Sequence, residues 1–300
     1  PPPRPAPTPW AMPDATRSSH EAPPALWYDQ PCVHLHTPCG DTAVVALQGA
    51  QVLSWVADGR ERLYLSPAAV LDGHTAIRGG VPLCFPQFNA RGPLRKHGFA
   101  RNLPWSIETT APAAPALPSS AVFALTDSAA TSAQWPHRFA AHLTVEVTAG
   151  SLRVELAVRN TGTETWDFTT ALHTYLRVNG VTQARLQGLD GQARWDAVTD
   201  ARSRQQGDIC FDGEYDSVFA ATMAPLLLHD GQDTLQLRQS ASLTNTVVWN
   251  PGAALCARLP DMPRDGYAQM LCIEAAQIDQ PVRLAPQTTW TGWQHLSVVR

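Results

Sequence analysis

The sequence predicts an all-β protein made of antiparallel sheets, and three observations lead to that prediction. Short runs alternate apolar and polar residues, as at residues 152–158, which is the period of a half-buried strand. Turn-forming dipeptides such as Asp58-Gly59 and Asp230-Gly231 separate these runs. No long segment combines a helical apolar period with capping residues. Many short strands at such spacing are typical of a sandwich or a barrel.

The predicted strands follow one another along most of the chain. At most a short turn of helix is expected, at residues 63–70, and the Ala- and Pro-rich residues 111–120 predict a loop between strands. The clearest strand patterns are at residues 42–47, 52–56, 121–125, 142–147, 152–158, 234–237 and 296–299.

The start of the chain differs in composition from the rest. Residues 1–24 contain nine prolines and no apolar centre of the kind a signal peptide has. We therefore predict a disordered lead-in at residues 1–25 and one β-sandwich domain at residues 26–300.

Composition excludes several classes of protein. A net charge of −4 without blocks of charge argues against a nucleic-acid partner, which needs a basic stripe. No apolar run is long enough to span a membrane. Six scattered cysteines without C-x-x-C spacing predict neither a zinc motif nor a disulfide framework, and they favour reduced thiols in a cytoplasmic protein. We expect a monomer without a metal or cofactor.

Residues 77–101 carry the densest group of candidate functional residues. Glycines and prolines rule out a long regular element there, yet Arg78, His97 and Arg101 stand among phenylalanines. Polar groups in an apolar loop are typical of a lined pocket. The alternative is that the arginines bind loop carbonyls and the histidine packs in the core.

Two further segments place single polar groups in apolar surroundings. His173 lies in a strand-like run of Thr, Leu and Tyr, and Glu274 lies in an uncharged apolar stretch. A buried carboxylate is costly unless it is paired, and its pKa tends to rise. A lone buried His or Glu is usually structural, but together with two arginines these residues indicate an acid–base site.

In these segments the sequence resembles a known family, the hexose-6-phosphate mutarotase branch (glucose-6-phosphate 1-epimerases) of the aldose 1-epimerases. The resemblance covers roughly residues 40 to 298 in the family's order. The matching segments are Gly49-Ala50-Gln51, Ile77-Arg78-Gly79-Gly80-Val81-Pro82, Cys84-Phe85-Pro86-Gln87-Phe88, His97-Gly98-Phe99-Ala100-Arg101, Leu172-His173-Thr174-Tyr175, Val248-Trp249-Asn250-Pro251 and Cys272-Ile273-Glu274-Ala275-Ala276.

The resemblance implies a fold and a set of roles. The fold is the galactose-mutarotase-like antiparallel β-supersandwich. His173 is expected to be the general acid and Glu274 the general base for opening and closing the sugar ring. The remaining expected substrate-binding residues are Arg78 and Arg101 for the phosphate, Asp216 for sugar hydroxyls, His97 at the sugar site, and Gln51. Lys96, which the resemblance does not imply, is a further candidate: it either adds a third positive charge for the phosphate or faces water.

The implied activity is interconversion of the α and β anomers of glucose 6-phosphate, which needs one acid and one base and no metal. Two arginines favour a phosphorylated sugar, because a guanidinium suits phosphate oxygens. The family's pattern is not matched at Lys96, where glutamine is usual, or at Ser217, where arginine is common. Two alternatives stay open: an aldose 1-epimerase that acts on free sugars, and a carbohydrate-binding protein without turnover.

Overall fold

The computed structural model describes residues 25–27, 29–114, 117–231 and 233–300. The predicted lead-in, residues 1–25, lies outside these ranges except for Ala25, which begins the first strand. The domain boundary therefore stays a prediction.

Strands make up most of the described chain. Within the described ranges there are 22 of them, in chain order β1 (Ala25–Trp27), β2 (Gln30–His36), β3 (Thr42–Ala46), β4 (Val52–Ala57), β5 (Arg60–Glu61), β6 (Leu83–Cys84), β7 (Ser106–Ala111), β8 (Ser119–Thr126), β9 (Phe139–Thr148), β10 (Ser151–Asn160), β11 (Trp166–Leu172), β12 (Tyr175–Arg177), β13 (Ala184–Gln187), β14 (Ala193–Asp196), β15 (Ala201–Arg204), β16 (Ile209–Cys210), β17 (Tyr215–Ala220), β18 (Leu226–Asp230), β19 (Asp233–Gln239), β20 (Asn245–Asn250), β21 (Met270–Leu284) and β22 (Thr289–Val298).

Helices are few and short. The α-helices are α1 (Ala129–Ser132) and α2 (Gly252–Cys256), and three single turns of 3₁₀ helix occur at Ala100–Asn102, Val181–Gln183 and Gly266–Gln269. Among the described residues, no helix has the length and apolar character needed to cross a membrane.

The expected helical turn at residues 63–70 is wrong. Leu63 and Leu65 instead form isolated bridges with Leu176 and Gly79, so this segment pairs with β12 and with the later loop in an extended conformation. Long-range pairing of this kind overrides local helix propensity.

The strands form three sheets. One has five strands in the order β1-β2-β3-β4-β5, and one has nine in the order β16-β13-β18-β19-β22-β10-β9-β8-β7. The third runs β15-β14-β17-β20-β21-β11-β6, with β12 also paired to β21. The strand pairs are antiparallel, so the predicted class of all-β antiparallel sheets is confirmed.

One buried apolar core joins the sheets. It includes Val45 from the five-stranded sheet, Val145 from the nine-stranded sheet and Ile273 from the eight-stranded sheet. On β10 the predicted alternation holds, because residues 152, 154, 156 and 158 are all buried. Such shared burial holds the sheets together without disulfides, and all six cysteines are free thiols.

Candidate active site

Register in the eight-stranded sheet brings His173 and Glu274 together. Strand β11 pairs antiparallel with β21 through Leu172 and Ala275, so the next residue after Leu172 lies opposite Glu274. The Nε2 atom of His173 is 3.3 Å from the Oε1 atom of Glu274. Both side chains are almost fully buried, at 8% and 1% exposed. Two residues that are far apart in the sequence therefore form one acid–base pair.

Burial controls the ionisation of this pair. It raises the pKa of Glu274 well above its ordinary value, and the negative charge of Asp216 raises it further. Burial lowers the pKa of His173 well below its ordinary value, and the positive charges of Arg101 and Arg78 lower it further. Burial thus favours the neutral form of both groups, a protonated carboxyl group beside a neutral imidazole.

Residues 77–101 are mostly loop, interrupted by the short strand β6, and are anchored in the core. The Phe85 ring packs edge-on against Phe99, Trp135, Phe139 and Phe168, at centroid distances of 5.4 to 6.4 Å. Gly98 has φ +71°, and a Cβ atom there would lie 2.1 Å from the carbonyl oxygen of Phe85. Only glycine fits this close approach.

Gln87 forms hydrogen bonds that connect residues 89 and 94 of the same loop. Its Nε2 group donates to the carbonyl oxygens of Asn89 and Leu94, and its Oε1 atom accepts from the Leu94 amide. The two anchors, Phe85 in the core and Gln87 in the loop, fix the position of the polar residues between Arg78 and Arg101.

His97 is fixed by the loop backbone. Its φ is +68°, an uncommon conformation for a residue other than glycine. Its Nδ1 atom accepts a hydrogen bond from the Asn89 amide at 3.2 Å and lies 3.0 Å from the Cys84 thiol. Burial and the nearby His173 and Arg101 lower its pKa, so the ring is neutral and carries its proton on Nε2. His97 lines the pocket and can donate that proton in a hydrogen bond to a ligand.

Arg78 has an ion pair of its own. Its Nε and Nη2 groups donate to the two carboxylate oxygens of Asp261, each at 3.1 Å, and Nη1 donates to the Tyr175 hydroxyl at 3.0 Å. Three of the five N–H groups are therefore in use, and the far edge of the guanidinium keeps one N–H on each terminal nitrogen. Asp261 balances the charge of Arg78 and also fixes its direction.

Arg101 and Lys96 supply positive charge without a comparable partner. Arg101 donates to the Lys96 backbone carbonyl at 3.2 Å, and its Nε group has no hydrogen-bond partner in the described part of the chain. No carboxylate within the described residues lies within ion-pair distance of either side chain. These two residues and Arg78 all line the same pocket, and together they make it suitable for an anion.

Asp216 also lines the pocket, on β17. Burial raises the pKa of its carboxyl group to about 6; Lys96 opposes this rise, while Glu214 and Asp196 add to it. A partly buried carboxylate of this kind can accept hydrogen bonds from sugar hydroxyls.

Gln51 is the one predicted site residue that the structure leaves outside the pocket. It is fully buried, and its Nε2 group donates to the carbonyl oxygens of Ile77 and Gly79. We therefore revise its assignment: Gln51 supports the backbone on both sides of Arg78 and does not line the cavity.

The predicted site residues other than Gln51 surround an open cavity of about 270 Å³, which is large enough for a small sugar. The walls include three residues that sequence reasoning did not assign, Tyr175, Trp249 and Asp261. The Tyr175 ring stacks on His173 at 4.9 Å, and Trp249 meets the same imidazole edge-on at 6.1 Å. Tyr175 and Trp249 lie within segments that resemble the aldose 1-epimerases, so the resemblance could have identified them. No motif around Asp261 indicates that it belongs to the site.

One group of side chains could hold a metal ion. Donor atoms of His173, Cys272 and Glu274 all lie within 4.8 Å of one another, and all three residues are buried. The set includes both members of the acid–base pair.

Comparison with known proteins identifies the family. The family model described as aldose 1-epimerase matches residues 31–297. The chain is 36% identical over 270 residues to a protein of Cenchrus ciliaris provisionally named a glucose-6-phosphate 1-epimerase, covering 86% of this chain and 81% of that protein.

Solved structures agree. A provisionally named mutarotase from Salmonella typhimurium has a TM-score of 0.83 and 30% identity, covering 92% of each chain. A galactose mutarotase related enzyme from Lactobacillus acidophilus, at 14% identity and covering 90% of this chain and 97% of that one, has a TM-score of 0.71 and shows the fold alone. The predicted galactose-mutarotase-like fold is therefore confirmed, and the chain belongs to the aldose 1-epimerase family.

Proposed function

We propose that this protein is a hexose-6-phosphate mutarotase, which interconverts the α and β anomers of glucose 6-phosphate. The observation that carries the proposal is the His173–Glu274 pair, 3.3 Å apart, in a pocket that Arg101 and Lys96 also line. Relatives of the chain with provisional glucose-6-phosphate 1-epimerase and mutarotase names support the same activity.

The reaction needs two proton transfers. A base removes the proton of the anomeric hydroxyl while an acid protonates the ring oxygen, and the ring opens to the aldehyde. Rotation about the C1–C2 bond and the reverse transfers then close the ring on the other face. Each well-placed transfer accelerates such a reaction by about 10²–10⁴-fold.

The pair can supply both groups without exchanging protons with solvent. Moving the carboxyl proton from Glu274 to His173 across 3.3 Å gives a carboxylate and an imidazolium, the base and acid that ring opening requires. When the ring opens, Glu274 receives the hydroxyl proton and His173 gives one proton to the ring oxygen. The pair then has a neutral imidazole and a protonated carboxyl group again, as before the first transfer.

The phosphate is assigned to the cationic side chains that line the pocket. Arg101 and Lys96 lack carboxylate partners in the described ranges, so their charge is available to an anion. Asp261 binds the Nε–Nη2 edge of the Arg78 guanidinium, and the N–H groups on the opposite edge are assigned to the phosphate. His97 and Asp216 are assigned to the sugar, as donor and acceptor respectively. We further propose that the protein acts as a cytoplasmic monomer without a cofactor or metal.

Saturation-transfer NMR with fresh α-glucose 6-phosphate tests the proposal. Wild type should exchange the anomers faster than buffer does, and Glu274→Gln should not, because the amide cannot act as a base. Exchange of galactose but not of the phosphate would favour the alternative of an aldose 1-epimerase for free sugars. Binding without exchange of either sugar would favour a carbohydrate-binding protein.

A further inference from the structure

Three donor groups of different chemistry meet at the bottom of the site. Cys272 and Glu274 are two residues apart on β21, so both side chains lie on the same face of the sheet. Their partners across the sheet are Tyr175 and the residue after Leu172, which is His173. The three donors are 8% (His173), 0% (Cys272) and 1% (Glu274) exposed. The mechanism uses the imidazole and the carboxyl group but gives the thiol no role.

The spacing of the three groups is close to that of a zinc site. A tetrahedral zinc ion with N, O and S ligands holds their donor atoms roughly 3.3–3.8 Å apart. Here all three donor atoms lie within 4.8 Å of one another, and the His173 Nε2 and Glu274 Oε1 atoms are already 3.3 Å apart. Small side-chain rotations would close the remaining gap. Three protein ligands of these kinds resemble the ligand set of catalytic zinc sites in number and chemistry.

One acceptor atom of the cluster also lacks a partner. The second carboxylate oxygen of Glu274, Oε2, is buried without a hydrogen-bond partner among the described residues. A bound divalent cation offsets the negative charge of a deprotonated thiol and carboxyl group. The thiol selects a soft ion such as Zn²⁺ over Mg²⁺ or Ca²⁺, which prefer oxygen ligands.

We propose that His173, Cys272 and Glu274 form an inhibitory Zn²⁺ site that includes both members of the catalytic pair. Binding displaces the protons of the thiol and carboxyl groups to solvent and forms bonds from the ion to N, S and O. The ion then occupies both catalytic groups, so binding of the ion and turnover of a sugar exclude each other. The kinetic part of this inference rests on the proposed mutarotase function; the binding part does not.

Co²⁺ is the spectroscopic probe for binding, because a thiolate ligand gives it an intense near-ultraviolet charge-transfer absorption. Wild type should show this absorption at one equivalent of Co²⁺ and lose it when Zn²⁺ is added. Cys272→Ser should lack it. A Cys39→Ser, Cys210→Ser double variant removes the two exposed thiols and should keep it. Absorption that survives in Cys272→Ser, or that disappears in the double variant, would place the metal elsewhere and overturn the proposal.

Inhibition is measured by anomer exchange after treatment with a chelator. Zn²⁺ should abolish exchange by wild type, the chelator should restore it, and a higher sugar concentration should weaken inhibition. In Cys272→Ser the half-inhibiting Zn²⁺ concentration should rise by at least roughly tenfold, since even losing an outer-shell partner costs about 10–100-fold in metal affinity. Equal sensitivity of the two proteins would refute the site. A chelated wild type without any exchange would instead refute the proposed function and leave the Co²⁺ result standing.

Discussion

Replacing Asp216 by Asn should stabilise the protein in a pH-dependent way. Burial raises the pKa of this carboxyl group from 3.8 to about 6. The folded state therefore holds the proton more tightly than the unfolded state does. The stability that Asp216 contributes is fully present below pH 3.8 and is lost as the pH rises through about 6. The amide group of the variant cannot ionise, so the variant avoids this loss.

The size of the effect follows from the two pKa values. The difference between 3.8 and about 6, at about 1.36 kcal/mol per pKa unit, corresponds to roughly 3 kcal/mol at pH 8. For a chain of 300 residues, an unfolding entropy of about 2.1 cal/mol/K per residue means that 1 kcal/mol moves the melting temperature by roughly 1.6 °C, so the variant should melt about 5 °C higher. The same variant should bind the sugar less well, because an amide is a weaker acceptor of hydroxyl hydrogen bonds.

Thermal melts of wild type and Asp216→Asn at several pH values between 4 and 8, without sugar, measure the effect. The difference in melting temperature should be near zero at pH 4 and largest at pH 8. Asp212→Asn, which removes a charge at an exposed position, serves as the control and should show no such trend. A difference that does not change with pH would refute the assignment of the effect to the ionised carboxylate.

Three further predictions concern the pair, the Arg78 ion pair and the fold. Glu274→Gln should lose at least about 10²-fold in exchange rate. It should also melt higher than wild type at pH 8, with a smaller difference below pH 4.5, because the raised pKa of Glu274 costs stability as pH rises through its folded value. Asp261→Asn should raise KM for glucose 6-phosphate more than it lowers kcat, since Arg78 loses the carboxylate that directs it; an unchanged KM would count against that role. Gly80→Ala should destabilise the fold by about 2 kcal/mol or more in urea melts, because its Cβ would lie 2.0 Å from the Val52 carbonyl oxygen at φ +62°. Gly59→Ala, with φ +70° and open space, is the matched control and should cost only about 1–2 kcal/mol.

The fold class could be predicted from the sequence because strands and turns each leave a pattern within a short stretch of residues. The period of two on β10 and the glycine-containing turns can be recognised within a few residues of each other. The ends of strands were less predictable. The pattern at residues 296–299 marked only the end of β22, which begins at Thr289, because pairing with β10 and β19 sets its length.

The candidate site was predictable where a polar residue interrupts an apolar segment. His173 and Glu274 stand out for that reason, and both line the cavity. Asp261 could not be found in this way, because it is 183 positions from Arg78 and lies in a loop without an apolar pattern. Gln51 was placed in the site by its motif alone, whereas its amide group holds the backbone behind Arg78.

The central claim is that the acid–base pair serves a phosphorylated sugar, and one measurement tests it most directly. The ratio of kcat/KM for glucose 6-phosphate to that for free glucose should be measured in wild type and in Arg101→Ala, with the exposed Arg202→Ala as control. Removing the unpaired Arg101 should lower the value for the phosphate by roughly 10-fold or more, since charge-assisted hydrogen bonds contribute about 1.5–3 kcal/mol each. The value for free glucose should change little. Equal losses on both sugars, or a wild type that prefers free glucose, would contradict the account.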